Sequence, residues 1–124
     1  MKTIEMNVLT LAYLGDAIYE IYIRKYLVDK GIAKVNDLQK TAVNYVSAKS
    51  QSKFLQQMIE ASFFTEDEIN LIKRSRNNKG TSHPKNTDII TYKHATALET
   101  LIGYLYLENN KQRIDEIMNY IIGE

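Results

Sequence analysis

Apolar residues recur along this chain at helical spacing, and strand-like alternation is nowhere sustained, so the pattern predicts an all-α fold. A first helix is expected from about Asn7 to Asp29, closed by Gly31 as a C-terminal cap. A second begins near Asn36 or Asp37, either able to cap it, and runs to about Tyr45. Ser47 caps a third that ends near Glu60. Thr65 opens a fourth, where TEDE places three acids at the positive end of the helix dipole. That helix runs to about Asn77 and ends in Lys73, Arg74 and Arg76, where cations are favoured. Residues 78–87 form a loop, Asp88 caps a fifth helix reaching Glu108, and residues 111–122 make a short sixth.

Two helices depart from ordinary amphipathic patterning. From Val8 to Ile23 the residues are apolar almost all the way round the wheel, which marks a helix buried in a core or an interface. Into it the chain sets Gly15 and then Asp16. Glycine within a helix costs about 1 kcal/mol relative to alanine, and an isolated buried carboxylate costs more. The fifth helix repeats the pair: in TALETLIGYLYL, Glu99 is the only charge between His94 and Glu108, and Gly103 follows one turn later. Gly15 and Gly103 are expected to permit close backbone approach, with Asp16 and Glu99 meeting around a cation. Because both helices are apolar on more than one face, a second copy of the chain is expected to cover one of them.

Simpler explanations compete with this one. Asp16, Glu20 and Arg24 share a stripe, so they could be a solvent face with an ordinary ion pair between Glu20 and Arg24. Glu99 could be hydrogen-bonded in the core to a tyrosine or a helix N-terminus. Neither His83 nor His94 has a second histidine at metal-ligand spacing.

Composition narrows the chemistry. At 124 residues one domain spanning 1–124 is expected, and 44% hydrophobic content is enough for a core. There is no cysteine, which excludes disulfides and thiolate zinc sites. Two acids without thiolates suit Mg²⁺, or Mn²⁺, with oxygen ligands and bound water. The N-terminus lacks the apolar run of a signal peptide, and no stretch is long enough to span a bilayer, so a soluble cytoplasmic protein is expected with no membrane partner.

A net charge of +1 does not by itself announce a nucleic-acid partner, but the cations are clustered. Residues 69–87 contain no acid, while Lys73, Arg74, Arg76, Lys79 and Lys85 fall there with His83. Cations mixed with amides and hydroxyls suit a phosphate backbone. Lys49 and Lys53, one turn apart, could extend the patch. The competing view is a solvated loop following a cation-rich helix end.

The segments LAYLGDAIYE and TALETLIGYLYLE together resemble the catalytic domain of the ribonuclease III family. VSAKSQ, KRSRN and PKNTDIITYKHAT bring the chain closer to the Mini ribonuclease III branch, which lacks a double-stranded-RNA-binding domain. The resemblance implies an all-α homodimer with one catalytic centre per protomer. It implies Mg²⁺-dependent cleavage of both strands of a duplex RNA, and maturation of precursor large-subunit (23S) ribosomal RNA. Asp16 matches the aspartate that ends the family's ERLEFLGD segment, and Glu99 the glutamate of its DxxE element. The chain departs from that pattern at Ala12 and Thr96, where the family carries two further acids. That departure supports the alternative, a non-catalytic RNA-binding or ribosome-associated protein on the same scaffold.

Overall fold

The structure is a computed structural model and describes residues 1–80, 85 and 87–123. Among the described residues, a 3-10 turn at Thr3–Glu5 leads into six helices: α1 (Val8–Asp29), α2 (Val35–Val46), α3 (Ala48–Glu60), α4 (Glu66–Arg76), α5 (Ile89–Leu107) and α6 (Lys111–Ile122). There is no strand among the described residues.

Side-chain caps fix most helix starts. Asn7 accepts from the Leu9 N–H at 2.8 Å, and Ser47 from that of Ser50 at 3.2 Å. Thr65 and Glu68 form a reciprocal capping box. Asp88 takes both the N–H and the hydroxyl of Thr91, at 2.9 and 2.7 Å. Gly31 lies past the end of α1 with φ +90°, the left-handed conformation expected of it. The start of α2 differs from expectation. Its N-cap is Lys34, with no side-chain cap, and Asn36 and Asp37 lie inside the first turn. Packing decides here: Leu38, Ala42, Tyr45 and Val46 turn toward the core, and their docking sets the register over the cap preference.

Helix α5 is the central element, packed by α1, α3, α4 and α6. Nine of its residues are buried, from Ala95 to Leu105. Leu98, Leu101 and Ile102 join Tyr19, Ile23, Leu55, Met58, Ile72 and Ile117 in one core cluster. A buried polar link sits within it: the Thr100 hydroxyl lies 3.0 Å from Ser75 Oγ on α4 and 3.0 Å from the Val8 carbonyl of α1.

The tightest contact is the crossing of α1 and α5. A Cβ at Gly15 would lie 1.8 Å from the Glu99 carbonyl oxygen, and one at Gly103 would lie 1.9 Å from that of Leu11. No side chain larger than hydrogen fits at either position, so the two backbones touch through their glycines.

Candidate active site

The glycine crossing places the two unusual acids. Asp16 follows Gly15 directly, and Glu99 is the residue whose carbonyl Gly15 contacts. Their carboxyl groups come within hydrogen-bonding reach of each other. Asp16 is exposed, which corrects the expectation that its helix would bury it; Glu99 is the half-buried member. Burial, and then the neighbouring Asp16 through hydrogen bonding and charge, push the Glu99 carboxyl up to about 8. Glu20 adds a smaller repulsion, and its own partner is Arg24 at 2.6 Å, the ordinary helix ion pair.

Both acids line a cavity of about 500 Å³ together with Ala12, Thr96, Gln51 and Gly80. Ala12 and Thr96, where the resembling family carries acids, therefore face the same space as Asp16 and Glu99. Gln51, on α3, donates from Nε2 to Glu99 Oε2 at 3.4 Å. Sequence reasoning did not single it out. The signal was its place at the head of the stripe Gln51, Leu55, Met58, where an apolar residue is expected. No tyrosine hydrogen bond to Glu99 is seen among the described residues; the nearby Tyr19 hydroxyl donates to the Tyr45 carbonyl at 2.6 Å.

The donor chemistry fits a hard divalent cation. Two carboxyl groups converge and, among the described residues, neither is ion-paired with a cationic side chain; a bound cation would relieve their repulsion. Among the described residues no group of three or more histidines, cysteines or acids could hold a metal. A cation here would have two protein carboxylates and otherwise water or substrate oxygen, as Mg²⁺ tolerates.

The structure divides the candidate cations. Gly80 reaches the cavity wall, which brings the segment containing Lys79 to the edge of the acid pair. Arg76, half-buried at the end of α4, acts electrostatically on His94 of α5. The His94 ring is held by α3, its Nδ1 lying 3.0 Å from the donor Gln56 Nε2 and 3.3 Å from Ser52 Oγ. Burial first, and then Arg76, lower its pKa. Arg74 faces the other way: its guanidinium donates to the carbonyls of Ile4 and, at 2.9 Å, Met6, tying down the N-terminal turn. Lys49, Lys53, Lys73, Lys79 and Lys85 are exposed. His83, with Thr81, Ser82, Pro84 and Asn86, lies outside the described residues.

Comparison with known proteins supplies the class to which this α5-centred fold belongs, a nuclease class. The family described as Ribonuclease III domain matches residues 9–110. The chain therefore belongs to the ribonuclease III family of endoribonucleases. Its relatives include the Mini-ribonuclease 3 of Enterococcus faecalis, 48% identical over 118 residues, covering 95% of this chain and 89% of that protein. The Mini-ribonuclease 3 of Brevibacillus brevis is 50% identical over 112 residues, covering 90% and 82%. A Fusobacterium nucleatum protein of known crystal structure superposes with a TM-score of 0.86 at 35% identity, covering 97% of this chain and 96% of that one.

Proposed function

We propose that this protein is a Mg²⁺-dependent endoribonuclease that cuts double-stranded RNA, with precursor 23S ribosomal RNA as its substrate in the cytoplasm. The observation that carries the reading is the uncompensated pair Asp16 and Glu99 on a cavity bordered by a cation-rich segment. Asp16 and Glu99 would hold Mg²⁺ (or Mn²⁺), and the bound ion supplies Lewis acidity at a phosphoryl oxygen and a water of lowered pKa. The chain's own part is positional. The contact between Gly15 and Gly103 fixes the acids relative to each other. Lys49, Lys53, Lys73, Arg76, Lys79 and Lys85 hold backbone phosphates, which aligns a phosphodiester with the pair. Arg74 is given a secondary place, because its donors already serve the N-terminal turn.

A homodimer fits the same picture. The outward face of α1 exposes Tyr13 (84%), Ile21 (64%) and Val28 (58%) on one stripe with the exposed Ala17. Tyr13 also lines the acid cavity, so a second copy on this face would sit at the rim of the site.

The test is Asp16→Asn, which keeps shape and removes the charge a hard cation needs. Wild type should cleave a duplex RNA only with Mg²⁺. The variant should bind that RNA, sediment as wild type does, and not cleave it. Cleavage by the variant would remove Asp16 from the chemistry. Duplex binding by a wild type that never cuts would support the non-catalytic alternative.

A further inference from the structure

Gln51 occupies a position that packing alone would give to leucine. It shares the core-facing stripe of α3 with Leu55 and Met58 and is 3% exposed. A carboxamide buried without a partner is unfavourable. The partner the structure supplies is Glu99, through Nε2 and Oε2 at 3.4 Å. The next residue, Ser52, and Gln56 one turn on both contact His94, five residues before Glu99. Helix α3 is thus docked on α5 at a second point, separate from the contact that Gln51 makes.

We propose that Gln51 is a positioning residue for the acid pair, holding one oxygen of Glu99 so that the carboxylate presents its other oxygen toward Asp16 and the cavity. A glutamate's terminal torsion is broad and has no strong preference of its own. A donor anchored on a packed helix supplies the missing preference. In metal sites generally, partners of this kind orient the ligands, and their removal lowers metal affinity or activity about 10–100-fold. The proposal rests on Asp16 and Glu99 being the cation-holding residues.

Gln51→Met keeps the side-chain length, removes the donor and suits the apolar stripe, so the variant should melt no lower than wild type. Calorimetric titration of Mg²⁺ into the RNA-free protein should show affinity weaker by about 10-fold or more. Turnover should fall by a similar factor while KM for duplex RNA stays put. Gln51→Leu should reproduce the loss if the methionine variant folds poorly. Ser52→Ala, which loosens only the docking of α3, should leave Mg²⁺ affinity within about twofold of wild type. Wild-type Mg²⁺ affinity in a folded Gln51 variant, or an equal loss in Ser52→Ala, overturns the proposal. A wild type that binds no Mg²⁺ overturns the reading beneath it, and this one with it.

Discussion

Glu68 and Glu99 are both glutamates taken partly out of water, and the structure treats them in opposite ways. Glu68 is 7% exposed between α4 and α6. Arg113 grips it with two charge-assisted bonds, Nε to Oε2 at 2.9 Å and Nη2 to Oε1 at 2.8 Å, and the Thr65 N–H adds a third at 2.9 Å. The guanidinium is itself held by Glu116 at 3.0 Å and the Phe63 carbonyl at 2.8 Å, and it lies over the Phe63 ring. Burial works to raise the Glu68 carboxyl, and Arg113 and Thr65 outweigh it, so the net shift is downward. Glu99 has another acid beside it and one amide, and its shift is upward. A buried acid with its charge answered marks a structural joint. A buried acid whose nearest charge repels it is held there by the backbone around it, and such a place suits a ligand of opposite sign.

Exchanging the two carboxylates for amides tests this contrast most directly. Glu68→Gln should lower stability by about 1–3 kcal/mol, because Arg113 loses its bidentate partner and keeps only Glu116 and the Phe63 carbonyl. Its folded fraction should still cleave. Glu99→Gln should abolish cleavage without lowering stability. The pH profiles should differ in sign as well. Glu99 is protonated in the folded chain up to about 8 but ionises near 4.5 when unfolded, so its effect is to lower stability as pH rises across that window. Glu68 contributes stability above about 4.5 that disappears as pH falls through its lowered folded value. Denaturant midpoints between pH 3 and 9 should lose the falling alkaline limb in Glu99→Gln and the acid limb in Glu68→Gln. Two variants with the same profile would erase the distinction.

Gly15→Ala attacks the backbone that forces the acids together. The added Cβ would lie 1.8 Å from a carbonyl oxygen and 2.9 Å from the Gly103 nitrogen, and neither can rotate away. The helices must separate, at about 3 kcal/mol or more, which exceeds the roughly 1 kcal/mol gained in helix propensity. Thermal melting should show the loss. Cleavage should fall even where the variant is folded, while the joint of Glu68 and Arg113 stays intact. A stable, active alanine variant would mean that the crossing does not place the acids.

The smallest effect concerns the cations. Replacing Arg76 and Lys79 together by alanine should weaken duplex RNA binding and reduce its salt dependence by up to about two counterions' worth of slope. Turnover at saturating RNA should fall less. Arg74→Ala should leave the salt slope near wild type and instead loosen the N-terminal turn. Equal slopes in both variants would return Arg74 to the RNA-facing set.

Local rules carried the sequence-based expectations a long way. Ser47, Thr65 and Asp88 cap the helices assigned to them because a cap needs only its neighbours. Gly15 and Gly103 were legible as a pair because glycine within an apolar helix has few other uses. What was not legible depends on which surfaces meet. The exposure of Asp16 follows from the face of α1 that α5 leaves open. The partnership of Glu68 with Arg113 spans 45 residues. Arg74 sits in an acid-free run like its neighbours, and only the path of the N-terminal turn gives it separate work. Gln51 carried a visible mismatch with its stripe, but its partner lies 48 residues away.

The glycine crossing also bears on motion. Where helices meet through side chains, an interface can loosen by rotamer changes and exchange its buried amides in small local openings. Gly15 and Gly103 have no rotamers, and the atoms they meet are main chain. Amide hydrogens at this crossing are freed only when α1 and α5 part, and those two helices carry much of the core. Hydrogen exchange at these amides is therefore expected to require global unfolding and not a local fluctuation, which would place the acid pair in one of the last parts of the molecule to open.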